Sequence, residues 1–144
     1  MAVISTIAFI ACHGGPADHF ATYAKALTEQ GYNVEICASG PALKKFEQCN
    51  AKVNYRFDLD NKTPKEQDEL AQRIADSCSS ASMVITDVGH GFDVKIHEAL
   101  KEKKITHFAY YDNPENFVPG GYTCHNCIPR RGLLLKRSSI NSPI

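Results

Sequence analysis

The sequence carries no excess of either charge: 16 Lys and Arg stand against 16 Asp and Glu in 144 residues. A neutral chain argues against a nucleic-acid partner held by bulk electrostatics. There is no apolar run near the roughly 18–20 residues that a bilayer span requires. Met1-Ala2-Val3 provides no basic start, and the first apolar run is short, so no secretory signal is expected. The six cysteines (Cys12, Cys37, Cys49, Cys78, Cys124 and Cys127) are then expected to be reduced thiols in a cytoplasmic protein. Missing motifs exclude more. No G-x-S-x-G elbow is present, which leaves a serine hydrolase without its nucleophile. Gly14-Gly15 has no third glycine, so the dinucleotide fingerprint G-x-G-x-x-G is absent. Residues 11–20 hold no Lys or Arg, which counts against a tight polyphosphate site. The pair Cys124 and Cys127, with His125 between them, has no second C-x-x-C to complete a four-ligand zinc site. Nothing in the sequence implies a cofactor or a resident metal.

What is there points to one globular domain. Hydrophobic residues make up 43% of the chain, enough for a core. The neutral total hides an asymmetry. The segment 123–144 carries Arg130, Arg131, Lys136 and Arg137 and no acids, so the rest holds 12 basic and 16 acidic residues.

Strand and helix signals alternate along the chain. Residues 3–11 form a short continuous apolar run rich in β-branched residues, the pattern of a buried strand. The spacing of Phe20, Tyr23, Ala24 and Leu27 predicts one apolar face on a helix over 16–30, with Gly31 just past its end. Residues 32–38 alternate as a second strand, and 42–49 read as a short helix. Residues 51–57 read as a third strand. Thr63, Pro64 and Glu66 spell a capping box that opens a helix to about residue 78, with Leu70, Ile74 and Ala71 inward. A fourth strand over 82–86, a helix over 92–103 with Ile96, Ala99 and Leu100 inward, and a fifth strand over 105–111 complete the pattern.

Five such alternations with short links predict an α/β fold: a Rossmann-like three-layer α/β/α domain with a parallel five- or six-stranded sheet. Right-handed crossovers put every strand's carboxyl end on one edge. The loops at 12–19, 39–41, 87–91 and 112–119 should gather there. The periodic part ends near residue 121, giving a domain over 1–121 and an irregular basic tail over 122–144.

The loop after the first strand, Cys12-His13-Gly14-Gly15, with the following helix, resembles the start of GT-B glycosyltransferases. In that family a glycine- and histidine-bearing loop follows the first strand. Gln30-Gly31-Tyr32-Asn33-Val34 is similar to the family's entry into its second strand. Thr86-Asp87-Val88-Gly89-His90-Gly91 and Tyr111-Asp112-Asn113-Pro114 stand where its acceptor-domain loops lie. The resemblance covers residues 3–121. It implies the N-terminal, acceptor-side domain of such an enzyme, and a partner that is a sugar or glycoconjugate acceptor. The family's donor is mostly held by a second Rossmann domain, for which 144 residues leave no room. A nucleotide sugar would then come through a partner domain or subunit; a homodimer stays open.

The resemblance implies that His13 deprotonates the acceptor hydroxyl. That task suits a group titrating near neutrality and within hydrogen-bond reach of the nucleophile. A carboxylate on the second ring nitrogen would fix the tautomer, and Asp87 and Asp112 are the candidates. The alternative is a turn histidine that caps local backbone groups. Gly14, Gly15 and Gly89 allow close backbone approach to a ligand. Asp18 and His19, at the start of the helix, and His90 join them as ligand-binding candidates. Asp18 also suits the helix dipole alone. Tyr111, Asn113 and Glu115 belong to a loop dense in aromatics and amides, the residue types that hold sugars. A nucleotide- or small-ligand-binding module without catalysis is the competing reading.

Overall fold

The computed structural model describes residues 5–88, 91–111, 126–129 and 136–137. The chain alternates as expected: β1 (Thr6–Ala11), α1 (Gly14–Glu29), β2 (Asn33–Ala38), α2 (Gly40–Gln48), β3 (Tyr55–Arg56), α3 (Pro64–Ser77), β4 (Met83–Thr86), α4 (Phe92–Glu102) and β5 (His107–Tyr111). Two further strands follow, β6 (Asn126–Pro129) and β7 (Lys136–Arg137). The sheet order is β3-β2-β1-β4-β5-β6-β7. Every pair from β3 to β6 is parallel, and only β6 with β7 is antiparallel. The expected Rossmann-like α/β architecture is what the chain adopts, with six parallel strands and one antiparallel addition among the described residues.

The unbroken apolar run of β1 is explained by burial on both faces. Ile7, Phe9 and Ala11 point into a core under α1 and α2, with Phe20, Ala24, Ala42, Phe46 and Tyr110. Ala8 and Ile10 point the other way, into a core under α3 and α4 with Leu70, Ile74, Val84, Ile96 and Leu100. Phe20 is the anchor of α1: its ring centroid lies 5.0 Å from that of Phe9 and 5.4 Å from that of Tyr110. Tyr23 departs from the expected inward face. It is 39% exposed, with its ring edge-on to Tyr110 at 6.1 Å, so the apolar stripe of α1 is narrower than its spacing suggested.

The helix ends follow local chemistry. The N–H of Tyr32 reaches the carbonyl of Leu27 and that of Gly31 reaches Thr28, both at 3.0 Å, with Gly31 at φ 96°. This is the glycine-terminated Schellman closure. At α3 the Thr63 hydroxyl accepts from the Glu66 N–H and the Glu66 carboxylate accepts from the Thr63 N–H, both at 3.1 Å. The capping box is complete.

Three expectations are corrected. The third strand is two residues long rather than seven. Asn54 donates its N–H to the Ile36 carbonyl at 2.8 Å, while its side-chain Oδ1 accepts from the Ile36 N–H at 2.9 Å. A side-chain amide thus occupies a place that a backbone carbonyl would take in the ladder, and regular pairing begins only after it. The first two helices start two residues early, at Gly14 and Gly40, so the expected glycine turns are themselves first helical turns. The segment expected to be irregular contributes β6 and β7, whose backbone pairing extends from β5 without a hydropathy period to announce it.

Candidate functional site

Consecutive strands run leftward from β1 to β3 and rightward from β4, so the chain reverses between β1 and β4. Loops leaving two such strands separate and open a crevice at their carboxyl ends, the usual ligand position in open α/β sheets. The residues leaving β1 are Cys12 and His13, and those leaving β4 are Asp87 and Val88.

Asp87 ties the two sides together. Its own N–H donates to the Ile10 carbonyl at 3.1 Å, continuing the β1–β4 ladder by one step. Its carboxylate Oδ2 then accepts from the N–H of Cys12 at 2.7 Å and from that of His13 at 2.8 Å. The carboxylate is buried, with 1% of Asp87 exposed. Bonds from backbone N–H groups to an ionised carboxylate are among the strong ones. The peptide that carries His13 is therefore fixed by Asp87. Asp87 was expected to orient the His13 ring; these contacts place its Oδ2 on the loop's backbone.

His13 is the N-cap residue of α1, in an extended conformation (φ −113°, ψ 148°). Its side chain makes no hydrogen bond that caps α1. Its carbonyl accepts from the Ala17 N–H at 3.2 Å, and its ring Nε2 is covered by protein. Gly14 and Gly15 follow as the first two helical residues, Gly14 half-buried and Gly15 exposed. A Cβ built on Gly14 would meet nothing closer than the Pro41 carbonyl oxygen at 3.9 Å and Pro41 Cβ at 4.0 Å. Those are ordinary contacts, so packing inside the chain does not demand glycine at this position.

The second loop of the edge is where the crossovers predicted it. Ser39 donates its N–H to the Ala11 carbonyl at 3.2 Å, and Pro41 stands against Gly14. Gly40 has φ 52°, a left-handed conformation that suits glycine. Asp18 lies in the second turn of α1 and is exposed, because the helix begins earlier than expected; it does not meet the free N–H groups of the first turn. His19 turns toward β5: its Nδ1 lies 2.9 Å from the Tyr110 hydroxyl, and the rings meet edge-on. Gly89, His90, Asp112, Asn113, Glu115 and the side chain of Tyr111 lie outside the described residues.

A buried polar group lies along α4, at Asp93 and His97, which their four-residue spacing in the sequence puts on one helix face. Gly91, at φ 80°, starts that helix. Asp93 and His97 stand one turn apart and are each 1% exposed. His97 Nε2 is 2.9 Å from the Thr86 hydroxyl, and its ring centroid is 5.1 Å from that of His107. The legible signal was the i, i+4 placement of two polar residues beside the inward Ile96 and Leu100. Among the described residues no group of three or more His, Cys, Asp or Glu could hold a metal ion. No described helix is long and apolar enough to cross a membrane.

Chemically, the carboxyl edge carries His13 on a fixed peptide beside the N-terminal end of a glycine-started helix, which favours anionic or oxygen-rich groups. It offers no cation in residues 11–20.

The architecture recurs among solved structures. A glycosyltransferase from Rickettsia africae superposes with a TM-score of 0.64 at 17% identity, over 83% of this chain and 32% of that one. The UDP-GlcNAc 2-epimerase from Neisseria meningitidis, solved bound to UDP-GlcNAc, superposes with 0.61 at 11% identity, over 82% of this chain and 35% of its own. The C-terminal domain of a Pyrococcus furiosus hydrogenase superposes with 0.52 at 17% identity, over 76% of this chain and 92% of that domain. The chain spans about a third of the length of the first two proteins. No family model and no curated protein matches the sequence. At these identities the likeness is one of fold: the chain is a Rossmann-like α/β domain of the kind these proteins contain.

Proposed function

We propose that this chain is the acceptor-side half of a GT-B-like glycosyltransferase, binding a sugar or glycoconjugate at the carboxyl edge of its sheet. His13 is the base that takes the proton from the acceptor hydroxyl. Asp87 positions it by holding the Cys12 and His13 peptide, and Asp112 is the carboxylate that orients its ring. Gly14 and Gly15 let the ligand approach the backbone, with His19, Asp18, Gly89 and His90 around it. Tyr111, Asn113 and Glu115 supply the aromatic and hydrogen-bonding contacts. The donor nucleotide sugar is held by a partner domain or subunit, and transfer needs that partner.

The observation that carries this reading is the pair of bonds from Asp87 to the N–H groups of Cys12 and His13. They fix the peptide that carries His13 at the reversal point of the sheet, which supports a base placed there. A second reading, a stand-alone ligand-binding module without catalysis, is favoured by the occurrence of the fold as a complete domain in the hydrogenase.

A thermal-shift series separates the two. The purified chain is melted with mono- and oligosaccharides, nucleotides and nucleotide sugars, alongside His13→Ala. A ligand at a hundredfold excess over its Kd adds about 2.7 kcal/mol of stability. The acceptor reading expects a rise in Tm with saccharides that His13→Ala weakens, and none with nucleotides. A rise with a nucleotide alone would replace it by the binding-module reading.

A further inference from the structure

Two buried thiols meet away from the crevice. Cys37 is the residue of β2 that faces α3, and Cys78 caps the carboxyl end of α3. Their sulfurs are 4.0 Å apart, and the residues are 3% and 0% exposed. Ser77 completes the group. Its Oγ lies 3.7 Å from Cys37 Sγ and 3.8 Å from Cys78 Sγ, and donates its own hydrogen to the Ile74 carbonyl at 2.6 Å. The serine oxygen is thus left to accept from the thiols. Ser77 is itself exposed, so the group reaches the surface at that residue.

We infer that Cys37 and Cys78 are a latent dithiol, an oxidation site that a hydroperoxide converts into a disulfide joining β2 to the end of α3. In the first step a thiolate sulfur attacks the near oxygen of the hydroperoxide. The O–O bond breaks, the sulfur becomes a sulfenic acid, and an alcohol (water, for hydrogen peroxide) leaves. In the second step the other sulfur attacks the sulfenic sulfur, losing its proton, and water leaves as the S–S bond forms. Two thiols lose two hydrogens and two electrons, and one hydroperoxide takes them up. The sulfurs need to close from 4.0 Å to about 2.05 Å as the bond forms.

Two features support the chemistry beyond proximity. A hydrogen bond from the Cys37 thiol to the Cys78 sulfur pulls Cys78 below its ordinary value, while the same sharing of one proton pushes Cys37 up. A thiolate is the species that reacts with the oxidant. The bond would also tie to α3 a strand whose own pairing with β3 runs over two residues. Constraining the unfolded chain across α2, β3 and α3 stabilises the native state.

The test uses the full chain, reduced and desalted, in a Cys49→Ser background that removes an exposed thiol outside the pair. Hydrogen peroxide is added and the products are read by intact mass, by differential alkylation after unfolding, and by peptide mapping. The expected result is a loss of about 2 Da per bond, a cross-linked peptide pair holding Cys37 and Cys78, and a Tm that rises and then falls back on reduction. Full alkylation of both residues after oxidation would overturn the inference. So would their recovery as separate sulfinic acids, or an oxidant consumed wholly between Cys124 and Cys127.

Discussion

Replacing Asp87 tests the tie between β1 and β4 in a graded way. One oxygen, Oδ2, accepts from both the Cys12 and the His13 N–H. Asp87→Asn keeps an oxygen there and removes the charge. A hydrogen bond to a charged group contributes about 1.5–3 kcal/mol and a neutral one about 0.5–1.5, so the change costs roughly 1 kcal/mol per bond and about 2 kcal/mol in all. Asp87→Ala removes the acceptor altogether and strands two N–H groups, one of them buried. At about 1–3 kcal/mol for each unsatisfied donor the loss is about 4 kcal/mol. For a domain of this size those losses lower Tm by about 7 °C and about 14 °C respectively. Urea unfolding followed by circular dichroism, with equal m-values required for the comparison, reads both. A loss under about 1 kcal/mol for Asp87→Ala, or equal losses for the two variants, would refute the reasoning.

Other substitutions separate folding from binding. Gly14→Ala meets only ordinary contacts at Pro41, so stability should hold or rise by up to about 1 kcal/mol; saccharide binding, measured by calorimetry, should weaken. Gly91 sits at φ 80° and ψ −41° with open space around it, so Gly91→Ala should cost about 1–3 kcal/mol in thermal unfolding from the backbone alone. Thr63→Ala opens the capping box and should cost about 1 kcal/mol in the same assay. The backbone and hydroxyl bonds of Thr63 hold the Glu66 carboxyl below the usual carboxylate range. A lowered native value means stability that is present above the unfolded value and lost as pH falls through the native one. Acid titration of unfolding should therefore show a flatter profile in Glu66→Gln than in the parent.

The elements that read well in the sequence are those set by local pattern. The capping box at Thr63, the glycine closure at Gly31 and the inward Ile96, Ala99 and Leu100 depend on residues within a few positions of one another. The parallel sheet followed from alternation alone. Harder to see were features made by distant residues. Asn54 shortens β3 by pairing its side chain with Ile36, 18 positions away. Strand β6 draws its pairing from β5 and β7 draws its own from β6, and neither carries a period of its own. At the site, His13, Gly14 and Asp87 were legible as residues leaving strand ends, because strand and helix signals fixed where those ends fall. The role of Asp87 was not legible, since its bonds run 75 and 74 positions back to backbone groups that no side-chain pattern encodes. The thiol contact between Cys37 and Cys78 was hidden in the same way, across 41 positions.

The central claim is that the crevice between β1 and β4 holds a saccharide. A titration of the isotopically labelled chain, followed amide by amide in two-dimensional NMR, tests it directly with the same saccharide and nucleotide panel. The account predicts saturable shifts at the amides of Cys12, His13, Gly14 and Gly15 with a saccharide, reduced in Gly14→Ala, and none with nucleotides. Shifts at these amides with a nucleotide alone, or saccharide-induced shifts confined to other surfaces, would contradict it.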